Sequence, residues 1–294
     1  MKLVRFADSK RRSYGILSED QIVCLPTLAK TLNQQFPYNI EEKISQGIKE
    51  TNIEHLVQKA TKTTLEKATL ALNKVKLLAP VARPPKIICL GLNYKDHAAE
   101  QGRIPSKEPV IFMKPNTTII GPNENVIKPS FITQLDYEAE LAIVIGKKTK
   151  NVSVKDAESC ILGYTIFNDV SARDIQFRDT QWTRGKSFDT FAPTGPCITM
   201  IDQVTDPSNL QVCTWVNKEL RQNSNTSNMV LNVFEIVHHL SHGMTLEPCD
   251  IIATGTPAGV GFAMKPEPKF LQEGDVIEIK IEGIGTLKNC VVEE

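Results

Sequence analysis

The pattern of apolar and polar positions changes near residue 80. Before it, short runs at 3–6, 13–17 and 22–25 predict strands, because alternation with period two is typical of a strand with one buried face. Two stretches rich in Lys, Glu, Ala and Leu, at about 41–60 and 63–75, predict helices. The first part of the chain therefore combines a few short strands with helices.

The second part of the chain is rich in predicted strands and has few long helices. These strands do not alternate with regular crossover helices, which argues against a doubly wound sheet. The pattern favours an α+β fold, mostly β, with mixed sheets and with helices on the outside. We predict strands at 87–90, 137–145, 161–167, 250–253 and 276–282, a helix at 230–240 and one or two helical turns at 93–100.

A proline-rich segment at 77–86 separates the two patterns and is expected to be stiff and extended. We therefore predict a small N-terminal α/β domain at 1–76, a linker at 77–86 and a larger domain at 87–294. Nothing in residues 1–76 suggests chemistry, so we expect that domain to serve packing or dimer support.

Charge and composition exclude several classes of partner. Lys and Arg together number 34, as do Asp and Glu, so there is no basic field for nucleic acid or anionic lipid. No apolar run approaches the roughly 20 residues of a membrane span, so we expect no membrane partner. The first predicted strand begins at Lys2, so we expect no presequence. The seven cysteines are scattered without a C-x-x-C pair, which favours a reducing, intracellular compartment.

The segment 135–146 places two carboxylates in a strongly apolar predicted strand. Side chains alternate between the faces of a strand, so Glu138 and Glu140 should point the same way, about 7 Å apart. Two like charges sheltered from water need a cation, a shared proton or a basic partner. Ligation by oxygen alone suits Mg²⁺, Mn²⁺ or Ca²⁺ better than zinc.

Two other interpretations of this strand remain open at this stage. Both glutamates could lie at a solvated strand end. They could also form the acid pair of a glycosidase, although sugar sites favour aromatic platforms and only 6% of this chain is aromatic.

Two further segments carry candidate chemistry. In the helical turn at 93–100, His97 and Glu100 are i,i+3 neighbours, and a carboxylate beside an imidazole makes a general base. After the strand at 161–167, Asp169 could complete a site of three carboxylates. The alternatives without a catalytic role are a surface ion pair for the first segment and a helix cap for the second.

Of two further motifs, the phosphate-binding loop is rejected, and solvated or partly buried histidines are favoured over a zinc site for the second. Residues 184–187 contain G-K-S, but Thr180 stands where a phosphate-binding loop needs its first glycine. His238 and His242 are i,i+4 neighbours on the helix at 230–240 and just beyond it, but no H-E-x-x-H motif or cysteine pair accompanies them.

Taken together, five segments resemble the fumarylacetoacetate hydrolase family. Their combination and order are specific, and they span roughly residues 80–294. The likeness is greatest to a subgroup found in animals, where it extends over nearly the whole chain. The matching segments are 91–100, 136–141, 168–174, 185–189 and 254–261.

The resemblance implies a fold and a set of residue roles. The family fold is a β-roll of mixed sheets with a small N-terminal domain, and members are usually dimeric. By resemblance a divalent ion is held by three carboxylates, a dyad on a lid carries out proton transfer, a lysine helps to hold substrate oxygens, and three residues face the substrate. These are Glu138, Glu140 and Asp169 for the metal, His97 and Glu100 for the dyad, Lys186 as the lysine, and Arg173, Gln176 and Thr256 on the substrate side.

One departure from the family pattern is visible. The founding hydrolase has a fourth metal-binding aspartate near the start of its catalytic domain, and Asn93 stands in that region here. We expect water to take that ligand's place.

The resemblance also implies an activity, which we state as an expectation. The lead hypothesis is metal-dependent keto–enol tautomerisation of oxaloacetate, with Mg²⁺ as the expected ion and Mn²⁺ or Ca²⁺ as alternatives. The runner-up is C–C bond hydrolysis of an acylpyruvate or fumarylacetoacetate, or decarboxylation of oxaloacetate. A third hypothesis is a non-catalytic, metal-dependent binding protein. We expect a small 2-oxo acid substrate, a homodimer, and a mitochondrial location by resemblance, with the cytoplasm as the alternative.

Overall fold

The computed structural model describes residues 1–48 and 50–294. More of the chain lies in strands than in helices, which confirms the α+β, mostly β prediction. The strands are β1 (Lys2–Ala7), β2 (Arg12–Ser18), β3 (Gln21–Cys24), β4 (Thr69–Ala71), β5 (Lys76–Leu78), β6 (Ile87–Gly91), β7 (Val110–Lys114), β8 (Ile119–Ile120), β9 (Asn125–Lys128), β10 (Leu135–Asp136), β11 (Ala139–Ile145), β12 (Ile161–Asn168), β13 (Ser171–Ala172), β14 (Ala192–Met200), β15 (Gln211–Val216), β16 (Glu219–Asn225), β17 (Ile251–Ala253), β18 (Val276–Ile281) and β19 (Gly285–Glu293).

The helices are short, and within the described residues none is long and apolar enough to cross a membrane. The longest has 11 residues, α9, and it begins with a complete capping box between Asn232 and Glu235. The helices are α1 (Leu25–Thr31), α2 (Ile40–Ser45), α3 (Glu50–Gln58), α4 (Lys62–Ala68), α5 (Lys95–Glu100), α6 (Val154–Ala157), α7 (Arg173–Gln176), α8 (Thr183–Lys186) and α9 (Val233–Gly243).

Three sheets organise the described residues. The largest has 12 strands in the order β4-β3-β2-β1-β14-β12-β11-β17-β6-β7, with β5 beside β1 and β8 beside β14. A five-stranded sheet has the order β16-β15-β18-β19-β9, and β10 pairs with β13. Strands from both sides of residue 80 share the largest sheet, because β1 pairs antiparallel with β14. The division into domains at 77–86 stays a prediction.

The helices predicted at 41–60 and 63–75 are only partly correct. The first range contains α2 and α3, and its position 49 lies outside the described residues. In the second range α4 ends at Ala68, and the predicted helix beyond it is wrong, since 69–71 form β4. Thr69 pairs with Val23 of β3, so pairing in the sheet overrides the helical preference of this segment.

The central strand β11 is buried on both faces. Alternate residues pack into two different cores: Leu141 and Ile143 into one, and Ala142 and Val144 into the other. Glu140 is buried and belongs by alternation to the second face. Glu138 precedes β11, so the shared face of the two glutamates stays a prediction from alternation.

The predicted strand at 137–145 is interrupted at its start. Asp136 Oδ1 accepts the amide of Tyr137, and Asn168 Oδ1 accepts the amide of Glu138. Side-chain acceptors thus take the two amides that a continuous strand would give to its neighbour. β10 ends at Asp136 and β11 begins at Ala139.

Strand directions bring several segments to one end of the large sheet. β11 runs antiparallel to β12 and β17, and β17 runs parallel to β6. The start of β11 therefore lies beside the carboxyl ends of those three strands. Asp169, the loop 254–261 and helix α5 follow those ends, so the segments singled out in the sequence meet there.

We predict that Gly163 is needed for close packing of β12 against β14. A Cβ atom at this position would lie 2.2 Å from the carbonyl oxygen of Thr199, which is backbone and cannot move aside cheaply. Gly163→Val should lower the free energy of unfolding by about 2 kcal/mol or more, measured by chemical denaturation. Gly243→Ala is the matched control, because a Cβ there meets nothing within 4 Å. Equal stability of the two variants would contradict the prediction.

Candidate active site

Three carboxylates converge at this end of the sheet. Glu138, Glu140 and Asp169 each offer an oxygen, and these oxygens lie within 4.8 Å of one another. All three residues are buried, and the most exposed of them, Glu138, is 6% exposed, so the interpretation as a solvated strand end is excluded. The structure brings together the three residues that resemblance assigns to the metal.

Each of the three carboxylates has one oxygen held by the protein. Asp169 Oδ1 accepts from the ammonium of Lys114, which is fully buried. Glu138 Oε1 lies 2.7 Å from Nη2 of Arg173. Glu140 Oε2 accepts from the amide of Gly255 at 2.8 Å. The orientation of every carboxylate is therefore fixed through one of its two oxygens.

Of the other three oxygens, two contact Lys186 and one has no donor. Lys186 Nζ contacts Asp169 Oδ2 at 2.7 Å and Glu138 Oε2 at 2.9 Å. Glu140 Oε1 is buried and has no hydrogen-bond partner. A buried carboxylate oxygen without a donor is costly, and a site of three carboxylates offers the hard oxygen donors that Mg²⁺ or Mn²⁺ prefers. These residues therefore fit a divalent ion.

Burial and neighbouring charges shift the pKa values of the two glutamates in opposite directions. Burial alone would raise the pKa of Glu138, but Lys186 and Arg173 outweigh it and lower that pKa to about 2. Burial, together with repulsion from Asp169 and Glu138, raises the pKa of Glu140 well above its usual value. Glu140 is thus the carboxylate that gains most from an added cation.

Two charged residues of the cluster were missed by sequence reasoning. Asp136 accepts from the amides of Gly261 and Phe262 and from Nε of Arg173, so it anchors the loop 254–261 to β10. A Cβ on Gly261 would lie 2.5 Å from Asp136 Oδ1, which explains the glycine.

The second missed residue is Lys114. It ends an apolar strand, and a lysine at that position is the only sequence feature that could have pointed to it. Burial lowers the pKa of Lys114 despite its pairing with Asp169.

The predicted dyad is assembled on α5. His97 Nδ1 lies 2.5 Å from Glu100 Oε1, and Glu100 Oε2 accepts from the amide of Gly259 at 2.9 Å. His97 Nε2 lies 2.8 Å from the side-chain amide of Gln101. This network gives a proton to Nδ1 and makes Nε2 an acceptor, which is the form of a general base. His97 is only 6% exposed, so the interpretation as a surface ion pair does not hold.

The three residues predicted on the substrate side are buried around the same cavity. Arg173 bridges Asp136 and Glu138 and lies with Cζ 4.5 Å from the ring centroid of Phe262. Gln176 accepts from Nη1 of Arg173. Thr256 Oγ1 accepts from Gln222, so in this structure all three have protein partners.

His97 of the dyad and Glu138 of the carboxylates both line a small cavity of about 60 Å³. This is well above the roughly 10–15 Å³ that one water needs, so the cavity suits a small polar molecule. Helix α5 and the loop after it close one side, and aromatic rings close another. The polar lining includes Glu138, Lys186, His97, Gln101, Arg103 and Thr256.

Two other candidates from the sequence lie elsewhere. The Nδ1 atoms of His238 and His242 contact the carbonyls of Val152 and His238, at 2.8 Å each. Asn93 donates to the carbonyls of Leu231 and Thr254, so its side chain braces the backbone.

Comparisons with known proteins agree with this architecture. A family model described as fumarylacetoacetate (FAA) hydrolase C-terminal matches residues 86–292. The mitochondrial oxaloacetate tautomerase FAHD2B of Bos taurus is 44% identical over 269 residues, which cover 91% of this chain and 81% of that protein.

Solved structures show the same fold. A fumarylacetoacetate hydrolase from psychrophilic Exiguobacterium antarcticum superposes with a TM-score of 0.86 and 38% identity, covering 100% of both chains. A maleylpyruvate hydrolase from Sphingobium, solved with manganese(II) and pyruvate, gives a TM-score of 0.79 and 32% identity, covering 100% of this chain and 99% of that one. The predicted fold class is confirmed.

We predict opposite effects on metal-free stability for two neighbouring glutamates. Glu138→Gln removes one of the two buried counter-charges of both Lys186 and Arg173, so the free energy of unfolding should fall by roughly 3 kcal/mol. Glu140→Gln removes a carboxyl whose charged form is disfavoured, so stability should rise by roughly 1 kcal/mol. Because the folded-state pKa of Glu140 is raised, this gain should grow as the pH rises above the ordinary pKa of a glutamate.

The measurement is urea denaturation with a chelator present, at several pH values. Glu273→Gln, an exposed glutamate, is the control for the substitution itself. Destabilisation by both buried variants at all pH values would contradict the assignment.

Proposed function

This chain belongs to the fumarylacetoacetate hydrolase family, and from that premise we propose that it catalyses the keto–enol tautomerisation of oxaloacetate with a divalent ion. The observation that supports this most is the shared cavity: His97 on α5 and Glu138, one of the three carboxylates that fit a cation, line the same small space. A non-catalytic binding protein would not need His97 and Glu100 at that position. The bovine relative named oxaloacetate tautomerase supports the choice of reaction.

Glu138, Glu140 and Asp169 would hold the ion, with Mg²⁺ or Mn²⁺ as the best-suited species. When bound, a divalent ion supplies Lewis-acid stabilisation of negative charge on the substrate's carboxylate and 2-oxygen. Counting Asp136, four carboxylates face the three cations Lys114, Lys186 and Arg173. A divalent ion therefore changes the formal net charge of this cluster from minus one to plus one, and a positive cluster favours an anionic substrate.

The proton is moved by His97 in this proposal. The two tautomers share one enolate, which forms by loss of a proton from either the enol hydroxyl or carbon 3. His97 Nε2 takes or returns the proton at carbon 3, displacing the contact with Gln101. Glu100 keeps the ring oriented through Nδ1 and stabilises it when it is charged. Lys186 provides positive charge beside the substrate oxygens.

A second carboxylate on the substrate would meet Arg103. This residue lines the cavity beyond His97 and forms no ion pair with any carboxylate in the described part of the chain. Arg173 and Lys186, by contrast, are already paired. An unpaired guanidinium at the cavity mouth favours a dicarboxylic 2-oxo acid such as oxaloacetate over a monocarboxylic one.

C–C bond hydrolysis of an acylpyruvate is the second candidate. The structures named fumarylacetoacetate hydrolase and maleylpyruvate hydrolase favour it. Hydrolysis needs space for an attacking water and a second carbonyl beyond the chelated end. The cavity of about 60 Å³ leaves less room for that arrangement than for a proton transfer alone. Decarboxylation of oxaloacetate is a further outcome of the same enolate chemistry.

Assembly, compartment and the role of the N-terminal residues are also proposals. We propose a homodimer, and a mitochondrial location because the bovine relatives are named as mitochondrial. The strands of residues 2–24 extend the large sheet, which supports a packing role for the N-terminal part.

The proposed activity predicts metal-dependent loss of the enol form of oxaloacetate. Its ultraviolet absorbance should decay faster with enzyme and Mg²⁺, and the acceleration should vanish with a chelator. Pyruvate formation, followed in the same samples, separates tautomerisation from decarboxylation. Cleavage of acetylpyruvate at a higher kcat/KM than enol decay would replace the lead activity by the second candidate.

We predict that His97→Ala and Glu100→Ala each slow enol decay by roughly 10²–10⁴-fold. The losses should not add in the double variant, because the two side chains form one hydrogen-bonded unit. Binding of Mg²⁺ and of oxalate, an enolate mimic, should stay within threefold of wild type. Calorimetry with Mg²⁺ and oxalate is the control for an intact site. Additive losses or near-normal rates would show that another group moves the proton.

A further inference from the structure

Helix α5 carries the proposed base but is poorly held by its own structure. It has six residues, and helices this short are marginal without outside contacts. Its carboxyl end is tied to the loop 254–261 through Glu100 and the amide of Gly259. The position of His97 therefore also depends on what holds the amino end.

A cluster of three polar side chains holds that end. Asp96 Oδ1 accepts from the amide of His97 at 2.8 Å, so the carboxylate is fixed next to the base. Asp96 Oδ2 accepts from the hydroxyl of Ser224 at 2.5 Å. Asn228 donates to the Ser224 hydroxyl at 3.0 Å and lies 3.4 Å from Asp96 Oδ2. We call Asp96, Ser224 and Asn228 the latch.

The far side of the latch is anchored in the second sheet. Ser224 belongs to β16, and the following turn is fixed by Thr226, whose amide donates to Leu210 and whose hydroxyl accepts from it. The latch thus joins the helix that carries the base to a different sheet from the one that carries the carboxylates.

We propose that the Asp96–Ser224 hydrogen bond positions His97 for proton transfer, which makes Asp96 and Ser224 positioning residues. The inference rests on the proposed role of His97 and extends it to residues that do not line the cavity. Ser224 is 9% exposed, so its hydrogen bond to a carboxylate is largely shielded from water. Hydrogen bonds to charged groups are stronger than those between neutral groups. Losing this one should shift the equilibrium between the attached and the detached α5 about tenfold towards the detached helix.

The test compares Ser224→Ala with Ser224→Thr and Ser227→Ala. The first removes the hydroxyl, the second keeps it, and the third makes the same change at an exposed serine of the same segment. The readouts are hydrogen–deuterium exchange of amides 95–101 and the kinetics of enol-oxaloacetate decay. Calorimetry with Mg²⁺ shows whether the carboxylate site stays intact.

In Ser224→Ala we expect exchange at 95–101 to become about tenfold faster and kcat to fall about tenfold. KM and Mg²⁺ affinity should stay within twofold of wild type, which general destabilisation would not predict. Ser224→Thr should restore both readouts, and Ser227→Ala should match wild type. Unchanged exchange in Ser224→Ala overturns the latch, and faster exchange with normal kcat overturns its role in positioning His97.

The two proposals fail in different ways. If the wild type does not accelerate enol decay, the proposed function fails. The latch is then tested by hydrogen–deuterium exchange together with the ¹⁵N chemical shifts of the His97 ring. In wild type the shifts of Nδ1 and of the acceptor Nε2 should be distinct, and in Ser224→Ala they should be averaged. An unchanged signature in that variant overturns the latch.

Discussion

Four carboxylates are buried together at one end of the large sheet, and the rest of the site follows from that constraint. Like charges in a dry environment require positive partners, and the chain supplies Lys114, Lys186 and Arg173. One oxygen of each metal-site carboxylate is held by Lys114, by Arg173 or by a backbone amide, which orients the donor set in advance. Lys186 pairs with the second oxygen of Glu138 and of Asp169, so an arriving ion would compete with that ammonium for both.

The same constraint links the site to the fold. Asp136 takes two amides of the loop 254–261 and also binds Arg173, so the loop geometry and the charge cluster depend on one side chain. That loop in turn gives Glu140 the amide of Gly255 and gives Glu100 the amide of Gly259. The carboxylates and the dyad are thus connected through the backbone of a single loop, so a change in that loop would affect both.

Sequence patterns predicted much of this arrangement, for identifiable reasons. Alternation in an apolar strand placed Glu138 and Glu140 on one face, and the spacing of His97 and Glu100 placed them on one side of a helical turn. These are local relations, which periodicity reports. Lys114 and Asp136 were not predicted as site residues, because their partners Asp169 and Arg173 lie 55 and 37 residues away along the chain. No local sequence pattern encodes such contacts. The helix predicted beyond Ala68 failed for the same reason, since a distant strand captured Thr69.

The pairing of β1 with β14 bears on where a functional unit begins. The segment that the family model covers starts at residue 86, yet in this protein its sheet continues through β1 into residues 2–24. Separated from that neighbour, β14 would present part of an unpaired backbone edge, with the apolar side chains of Ile198 and Cys197 beside it. The amino-terminal strands therefore cover an edge of β14 that would otherwise be exposed.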